Sequence, residues 1–417
     1  MKLIVCITIF FLCSFNGYAQ EKAIIFKNVN VVDVVEGNIR KGQDVVIKEG
    51  IIQAIGKNVG TGVSGEVKDL TGMYMMPGLI DAHVHIANDP KESQEDRAKH
   101  LEYFLRHGVT SIRDAAGDAR VLQELKEGVQ QGKYLGPDIY YAAFMAGPAY
   151  FEGNDREKSM VEGWPEPYAP WMQCIRPDTD LDKAMEGVKE WGCTGVKIYG
   201  GFDRETLLPL VRKAKEYGLQ VWGHATLFPA KPWDVADAGI QVISHAYMLE
   251  WERVSEELCG NIFENYEKFY DKIDHDKMSV ERFLQTVKSK GLIFDPTLFL
   301  CIENKMDWAI RFVKRANQIG VKICAGTDYI NDLNRPFPFI FDELDLYVEK
   351  CDFYPMEAIF TVTKVAAEAL GICNKVGTVE VGKQADLLIL SGNPFDDIKE
   401  LRKIKVVIKR GIEINVD

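Results

Sequence analysis

The sequence predicts an α/β fold: a (β/α)8 TIM barrel with a small β-sandwich domain built from both chain ends. Three observations carry this expectation. Eight short apolar runs alternate with longer amphipathic segments through the middle of the chain. Both ends show β texture with no helical period. Four histidines fall where predicted middle strands end, and a barrel carries its chemistry at the C-terminal ends of its strands.

Residues 1–19 read as a secretory signal. Lys2 gives a basic start, Leu3 to Phe15 is an almost unbroken apolar run, and small residues prepare cleavage near Ala19. The run is short for a bilayer span. A buried strand or a membrane anchor is the competing reading of the same residues. Cys13 lacks the preceding small residues of a lipidated cysteine. Export would place the protein in the periplasm or outside the cell.

Residues 20–76 form the first part of the β-domain, with strands expected at Ala23–Phe26, Val29–Val35, Asp44–Lys48 and Ile51–Ile55. The barrel is expected over residues 77–373. Its strands are read at Leu79–His85, Val109–Arg113, Asp138–Phe144, Gly195–Tyr199, Gln220–His224, Gln241–His245, Leu292–Thr297 and Lys322–Thr327. A doubly wound open sheet would give the same alternation. One helix is expected over Met356–Leu370, between Pro355 and Gly371. Residues 374–417 return to β texture at Thr378–Val381, Asp386–Leu390 and Ile404–Lys409 and complete the β-domain. Two connections are long, Met145 to Asp180 and Met248 to Lys277, and loops of this kind build substrate pockets or packing surfaces.

The composition sets limits on function. A chain of 417 residues, 47% hydrophobic, can bury a large core, and a single barrel absorbs about 250 residues. A net charge of -12 argues against nucleic acid and anionic membrane surfaces as partners. A small-molecule substrate is expected, with a homo-oligomer left open. Of the nine cysteines, Cys6 and Cys13 fall in the leader, and no pair forms a CxxC. Cys301 and Cys324 lie in apolar runs and read as core thiols. A dense disulfide framework does not suit a chain of this size.

The candidate site is assembled from strand ends. In His83-Val84-His85, strand alternation puts both imidazoles on one face, a rigid clamp for a metal. Two such histidines are a weak signal alone. His224 ends the fifth predicted strand, His245 the sixth, and Asp328 follows the eighth in Ala325-Gly326-Thr327-Asp328. An acid placed directly after a buried apolar strand is costly unless paired or bound to metal. Lys197, inside Gly195-Val196-Lys197-Ile198-Tyr199, needs a partner for the same reason.

Pro77-Gly78-Leu79-Ile80-Asp81-Ala82-His83-Val84-His85 resembles the first-strand signature of the amidohydrolase superfamily. The spacing to His224, His245 and Asp328 is similar to that of its remaining ligands. Residues 377–387, Gly-Thr-Val-Glu-Val-Gly-Lys-Gln-Ala-Asp-Leu, resemble its C-terminal β-domain signature. The nearest branch is the imidazolonepropionase-related and Xaa-Pro dipeptidase-like group. The resemblance covers nearly the whole mature chain.

It implies that His83, His85 and Asp328 hold one divalent ion, and that His224 and His245 hold a second. Lys197, carboxylated on its amine, would bridge the two, and zinc is the expected metal. Members with one metal lack a lysine on this strand. The implied reaction is hydrolysis of a C–N bond, in a cyclic amide or a dipeptide, by metal-bound hydroxide. Asp328 would act as general base and then acid, with Tyr199 a candidate aid to the oxyanion. Phe341 stands where many relatives carry a histidine before the pair Glu343-Leu344, which leaves the substrate class open.

A lactonase or other ester hydrolase could use the same hydroxide. A non-catalytic binding protein would be expected to have lost ligands, and here each ligand position is filled. Arg156, Arg176 and Arg204 are candidates for a substrate carboxylate, or plain surface residues. The leader makes a direct prediction: protein isolated from its native cell lacks residues 1–19. N-terminal sequencing that starts at Met1 would refute the signal.

Overall fold

A computed structural model describes residues 23–152, 160–164, 169–253, 279–304, 306–330 and 332–416. The signal at residues 1–19, Arg156 and most of the second long connection lie outside the described residues.

Eight parallel strands stand side by side in chain order: Leu79–Val84, Val109–Asp114, Asp138–Ala146, Gly195–Ile198, Gln220–His224, Val242–Ser244, Ile293–Asp295 and Lys322–Ile323. Hydrogen bonds close the ring between the eighth and first strands. Ala82 N donates to Ala325 O at 3.1 Å, and His83 O accepts from Thr327 N at 3.1 Å and Asp328 N at 2.8 Å. The barrel expected from the sequence is therefore present. The seven other strands match their expected positions closely, while the eighth is only 2 residues long. After Cys324, whose amide still bonds Phe294 O, the chain leaves the seventh strand: Ala325 N turns to Thr361 O.

The helices pack apolar faces on the barrel and start where their sequences dictate. Asp118, Asp180 and Asp203 each accept a backbone amide at a helix N-terminus. The helix Arg204–Glu216 buries Leu207, Leu210, Val211 and Ala214, a 3.6-residue stripe. The first long connection carries a short helix, Pro148–Glu152, and an extra strand, Met172–Cys174, on the edge of the third barrel strand.

Two expectations need correction. The single helix over Met356–Leu370 is two helices, Pro355–Thr361 and Lys364–Ala369. The carbonyls of Thr361 and Val362 are taken by the strand amides of Ala325 and Ile80, so they cannot continue a helix. The β-branched run Thr361-Val362-Thr363 favours the break. The strand expected at Thr378–Val381 is a turn segment. Gly377 at φ 92° and Gly382 at φ 89° turn the chain at both ends, leaving no room for a ladder.

Both chain ends pair into one small β-sandwich domain. Its spatial order is Ile412–Ile414, Ile404–Lys409, Leu387–Leu390, Tyr74–Pro77, Ala23–Asp33, Asn38–Lys48 and Ile51–Gly56, with Gly65–Asp69 beside Ala23–Asp33. Phe26, Val31, Ile47, Met75, Leu387 and Ile408 are among the buried residues of its own apolar cluster. Cys193, Cys301, Cys324 and Cys351 are buried free thiols, Cys373 is an exposed one, Cys174 is buried, and no disulfide joins two of the described residues. None of the described helices is long and apolar enough to cross a membrane.

A buried ionic clamp joins the small domain to the barrel. Lys409 Nζ donates to Asp386 Oδ2 at 2.6 Å, Asp138 Oδ2 at 2.9 Å and Thr110 O at 2.9 Å. Burial alone would raise the Asp138 carboxyl, but Lys409 and Arg410 outweigh it and hold it below the ordinary range. A carboxyl depressed in this way adds stability at neutral pH. That contribution is lost as the pH falls below about 3.9, the unfolded-state value. Lys409→Met leaves the buried Asp386 carboxylate without its cation and is predicted to cost about 3–5 kcal/mol in urea unfolding. A loss under 1 kcal/mol would show that the clamp contributes little.

Candidate metal centre

Strand alternation explains the first part of the site. Asp81 and His83 occupy alternate positions of the first strand, so their side chains share a face, and His85 follows directly after its last residue. Asp81 is fully buried. Its Oδ1 accepts His83 N at 3.1 Å and Thr327 N at 3.2 Å, and its Oδ2 accepts Thr327 Oγ1 at 2.9 Å. It thus pins the seam at which the first and eighth strands meet. Burial pushes its carboxyl up to about 7, against the pull of these bonds. Asp114 does similar work one strand further on, accepting Ile86 N and Gly117 N at 2.7 Å each and so shaping the loop after His85.

Asp328 faces the histidines across this seam. Its Oδ1 lies 3.1 Å from His83 Nε2 and 2.9 Å from His85 Nε2, and its Oδ2 lies 3.8 Å from His245 Nδ1. His83, His245 and Asp328 each offer a ligand atom within 4.8 Å of the others. The His224 ring centroid is 4.7 Å from that of His245, which extends the group to the fifth strand. Burial keeps the His224 and His245 rings neutral, with pKa values well below the ordinary imidazole range. Burial would raise Asp328, but the imidazoles around it hold it well below the carboxylate range. His245 at φ 80° and Asp328 at φ 60° are both in the left-handed region, a strained backbone that concentrates at functional sites.

The donor set fits a divalent cation. His83 Nδ1 lies 2.6 Å from Asp295 Oδ2, so Nδ1 is a protonated nitrogen, and a neutral ring presents its lone pair at Nε2. That lone pair then faces an Asp328 oxygen, which is also an acceptor. With the ring neutral, two buried acceptors 3.1 Å apart suit a cation between them. His83 Nε2 and His85 Nδ1 are buried atoms without a hydrogen-bond partner.

Lys197 is fully buried on the fourth strand, with Nζ donating to Ser244 Oγ at 2.9 Å. Burial, helped by the nearby Arg113 cation, lowers its pKa to about 7. Tyr199 is buried directly after the fourth strand. Its hydroxyl donates to Ala115 O at 2.7 Å, so the single phenolic hydrogen is directed at the backbone. Its ring stacks on Phe144 at 3.9 Å and meets His224 edge-on at 4.4 Å, part of an aromatic shelf with Tyr150 and Phe151. Arg204 is paired on the surface with Asp234 and Asp237, and Arg176 is exposed. Phe341 is buried against Phe337, with the Arg402 guanidinium over its ring.

A model of the amidohydrolase family matches residues 74–413. The chain belongs to the amidohydrolase family. It is similar to adenine deaminase 1 of Latilactobacillus sakei, 24% identical with 96% of this chain and 59% of the relative covered. Imidazolonepropionase of Thermoplasma volcanium is 23% identical, with 79% and 80% covered. A dihydroorotase of Trichlorobacter lovleyi shares 35% identity over 89 residues only, 21% of each chain. The chain thus spans well under two thirds of some of the curated relatives that it matches. Among solved structures, a Xaa-Pro dipeptidase has a TM-score of 0.73 at 22% identity, with 94% of this chain and 100% of that one covered. At that identity the match speaks for the fold.

This amidohydrolase also holds site residues beyond the sequence-derived set. Asp295, Arg113 and Ser244 are fully buried and connect His83 to Lys197. A signal for Asp295 was available. It directly follows the apolar strand Leu292-Ile293-Phe294, just as Asp328 follows its own. Arg113, at the end of the second strand and 4.4 Å from the centroid of the Trp222 ring, had no such signal, because its partners Asp295 and Trp222 lie on two other strands.

Proposed function

We propose that the protein is an exported, metal-dependent amidohydrolase that hydrolyses a C–N bond, in a cyclic amide or a dipeptide-like small molecule. The observation that carries this reading is the convergence of His83 Nε2 and His85 Nε2 on one oxygen of Asp328, with His245 beside the other. In support, family relatives include an adenine deaminase, an imidazolonepropionase and an ochratoxinase of Aspergillus niger.

Two divalent ions, zinc by preference, would be held by His83, His85 and Asp328 and by His224 and His245, with carboxylated Lys197 between them. When bound, such ions lower the pKa of water to about 7 and polarise a carbonyl oxygen. The protein's own groups supply the rest. Carboxylation requires a neutral amine, and a Lys197 pKa near 7 makes that form abundant at neutral pH. Asp328 stands at the mouth with its side chain 15% exposed, placed to accept a proton and return it to the leaving nitrogen. Tyr199 orders His224 by ring contact, with its hydroxyl occupied by Ala115.

Asp328→Asn keeps the size of the side chain and removes the base. It is predicted to lower kcat by about 10²–10⁴-fold while most of the metal stays bound. Lys197→Ala is predicted to lose metal and activity together. Turnover against a panel of cyclic amides and dipeptides, with elemental analysis under identical metal loading, checks both. Near-native kcat for Asp328→Asn at full occupancy would rule out the proton-carrying role.

A further inference from the structure

We propose that Asp295 is a positioning residue that aims two side chains of the metal centre at once: His83 directly, and Lys197 through the Ser244 hydroxyl. This rests on the metal-dependent reading above. Asp295 ends the seventh strand and is fully buried. Its Oδ2 meets His83 Nδ1 at 2.6 Å, Ser244 Oγ at 2.8 Å and Arg113 Nη2 at 3.4 Å. A carboxylate oxygen offers only lone pairs, so all three neighbours must be donors.

Two consequences follow from that single requirement. His83 carries a proton on Nδ1, which leaves Nε2, 3.1 Å from Asp328 Oδ1, as the nitrogen that can bind a metal. Ser244 spends its one hydrogen on Asp295, so its oxygen is an acceptor for Lys197 Nζ at 2.9 Å. A carboxylated lysine keeps one N–H. Directing that hydrogen at Ser244 Oγ fixes the rotation of the planar carbamate about the Cε–Nζ bond. One carboxylate therefore sets a ring tautomer on the first strand and a torsion on the fourth. Arg113, stacked on Trp222, supplies the counter-charge.

The neighbouring backbone makes room for this hub. A Cβ on Gly326 would lie 2.4 Å from His83 Cβ and 2.9 Å from Asp295 Oδ1, both prohibitively close. Only glycine lets the eighth strand exit pass between the histidine and the aspartate.

The test uses the full chain as wild type, Asp295→Asn and Ser244→Ala. Each is titrated with Zn2+ against a colorimetric chelator in bicarbonate buffer. Histidine tautomers are read on metal-free, 15N-labelled protein by long-range 1H–15N correlation, and circular dichroism reports folding. The wild type is expected to show a ring locked as the Nδ1–H tautomer, a signal that Asp295→Asn abolishes or averages. Asp295→Asn should bind its first Zn2+ about 10–100-fold more weakly. Ser244→Ala should keep the tautomer signal and weaken only the second Zn2+, by a similar factor. An Asp295 that merely satisfies the core would lower the melting temperature while the tautomer and both affinities stay as in the wild type, and that result overturns the proposal. If Asp295→Asn does not fold, Ser244→Ala decides. A selective loss at the second Zn2+ supports the hub, and unchanged affinity overturns it. Wild-type protein that binds no Zn2+ refutes the metal-dependent reading instead, while the tautomer of the metal-free ring still reports on the Asp295–His83 contact.

Discussion

The carbonyl of His83 accepts two amides from the far end of the barrel, Thr327 N at 3.1 Å and Asp328 N at 2.8 Å. That junction closes the ring of strands, and it also sets Asp328 against His83 and His85. Parallel strands need long crossovers, so their pairing brings together residues far apart in sequence. Asp81 reinforces the junction from inside by bonding both sides of it. Had the sheet stayed open, as in a doubly wound fold, the two halves of the histidine-aspartate group would not meet.

The interior of this barrel departs from the usual apolar filling. Asp81, Arg113, Lys197 and Asp295 are all fully buried. Each isolated charge would cost several kcal/mol after relaxation, and only close pairing and hydrogen bonds repay it. The arrangement fits that demand through shared partners. Asp295 serves Arg113, Ser244 and His83, and Lys197 reaches it through Ser244. Networks of this kind hold side chains in single orientations, which is what a metal site asks of its surroundings. Strain at His245 and Asp328, both at positive φ, adds to the cost of building the mouth.

Much of the fold was legible because its signals are local. Strands such as Gln220–His224 are short apolar runs bounded by polar segments, and they appear where the sequence places them. The ligand-type residues were legible because the histidines and Asp328 stand at or just after the ends of such runs and Lys197 is a charge inside one. What could not be read depended on contacts distant in sequence. The break at Val362 arises because barrel amides claim its helix carbonyls. The partner of the Tyr199 hydroxyl, Ala115, lies on another strand's exit. Arg113 carries no periodic signature, and its purpose emerges only with Asp295 and Trp222 around it.

The proposed hydrolysis depends on divalent ions occupying the histidine-aspartate group. The most direct measurement is anomalous diffraction at the zinc edge from crystals of reconstituted protein. Two peaks about 3.5–4 Å apart are predicted, one against His83, His85 and Asp328 and the other against His224 and His245. A map from fully reconstituted protein with no peak among these side chains, or with zinc bound only elsewhere, would contradict the account.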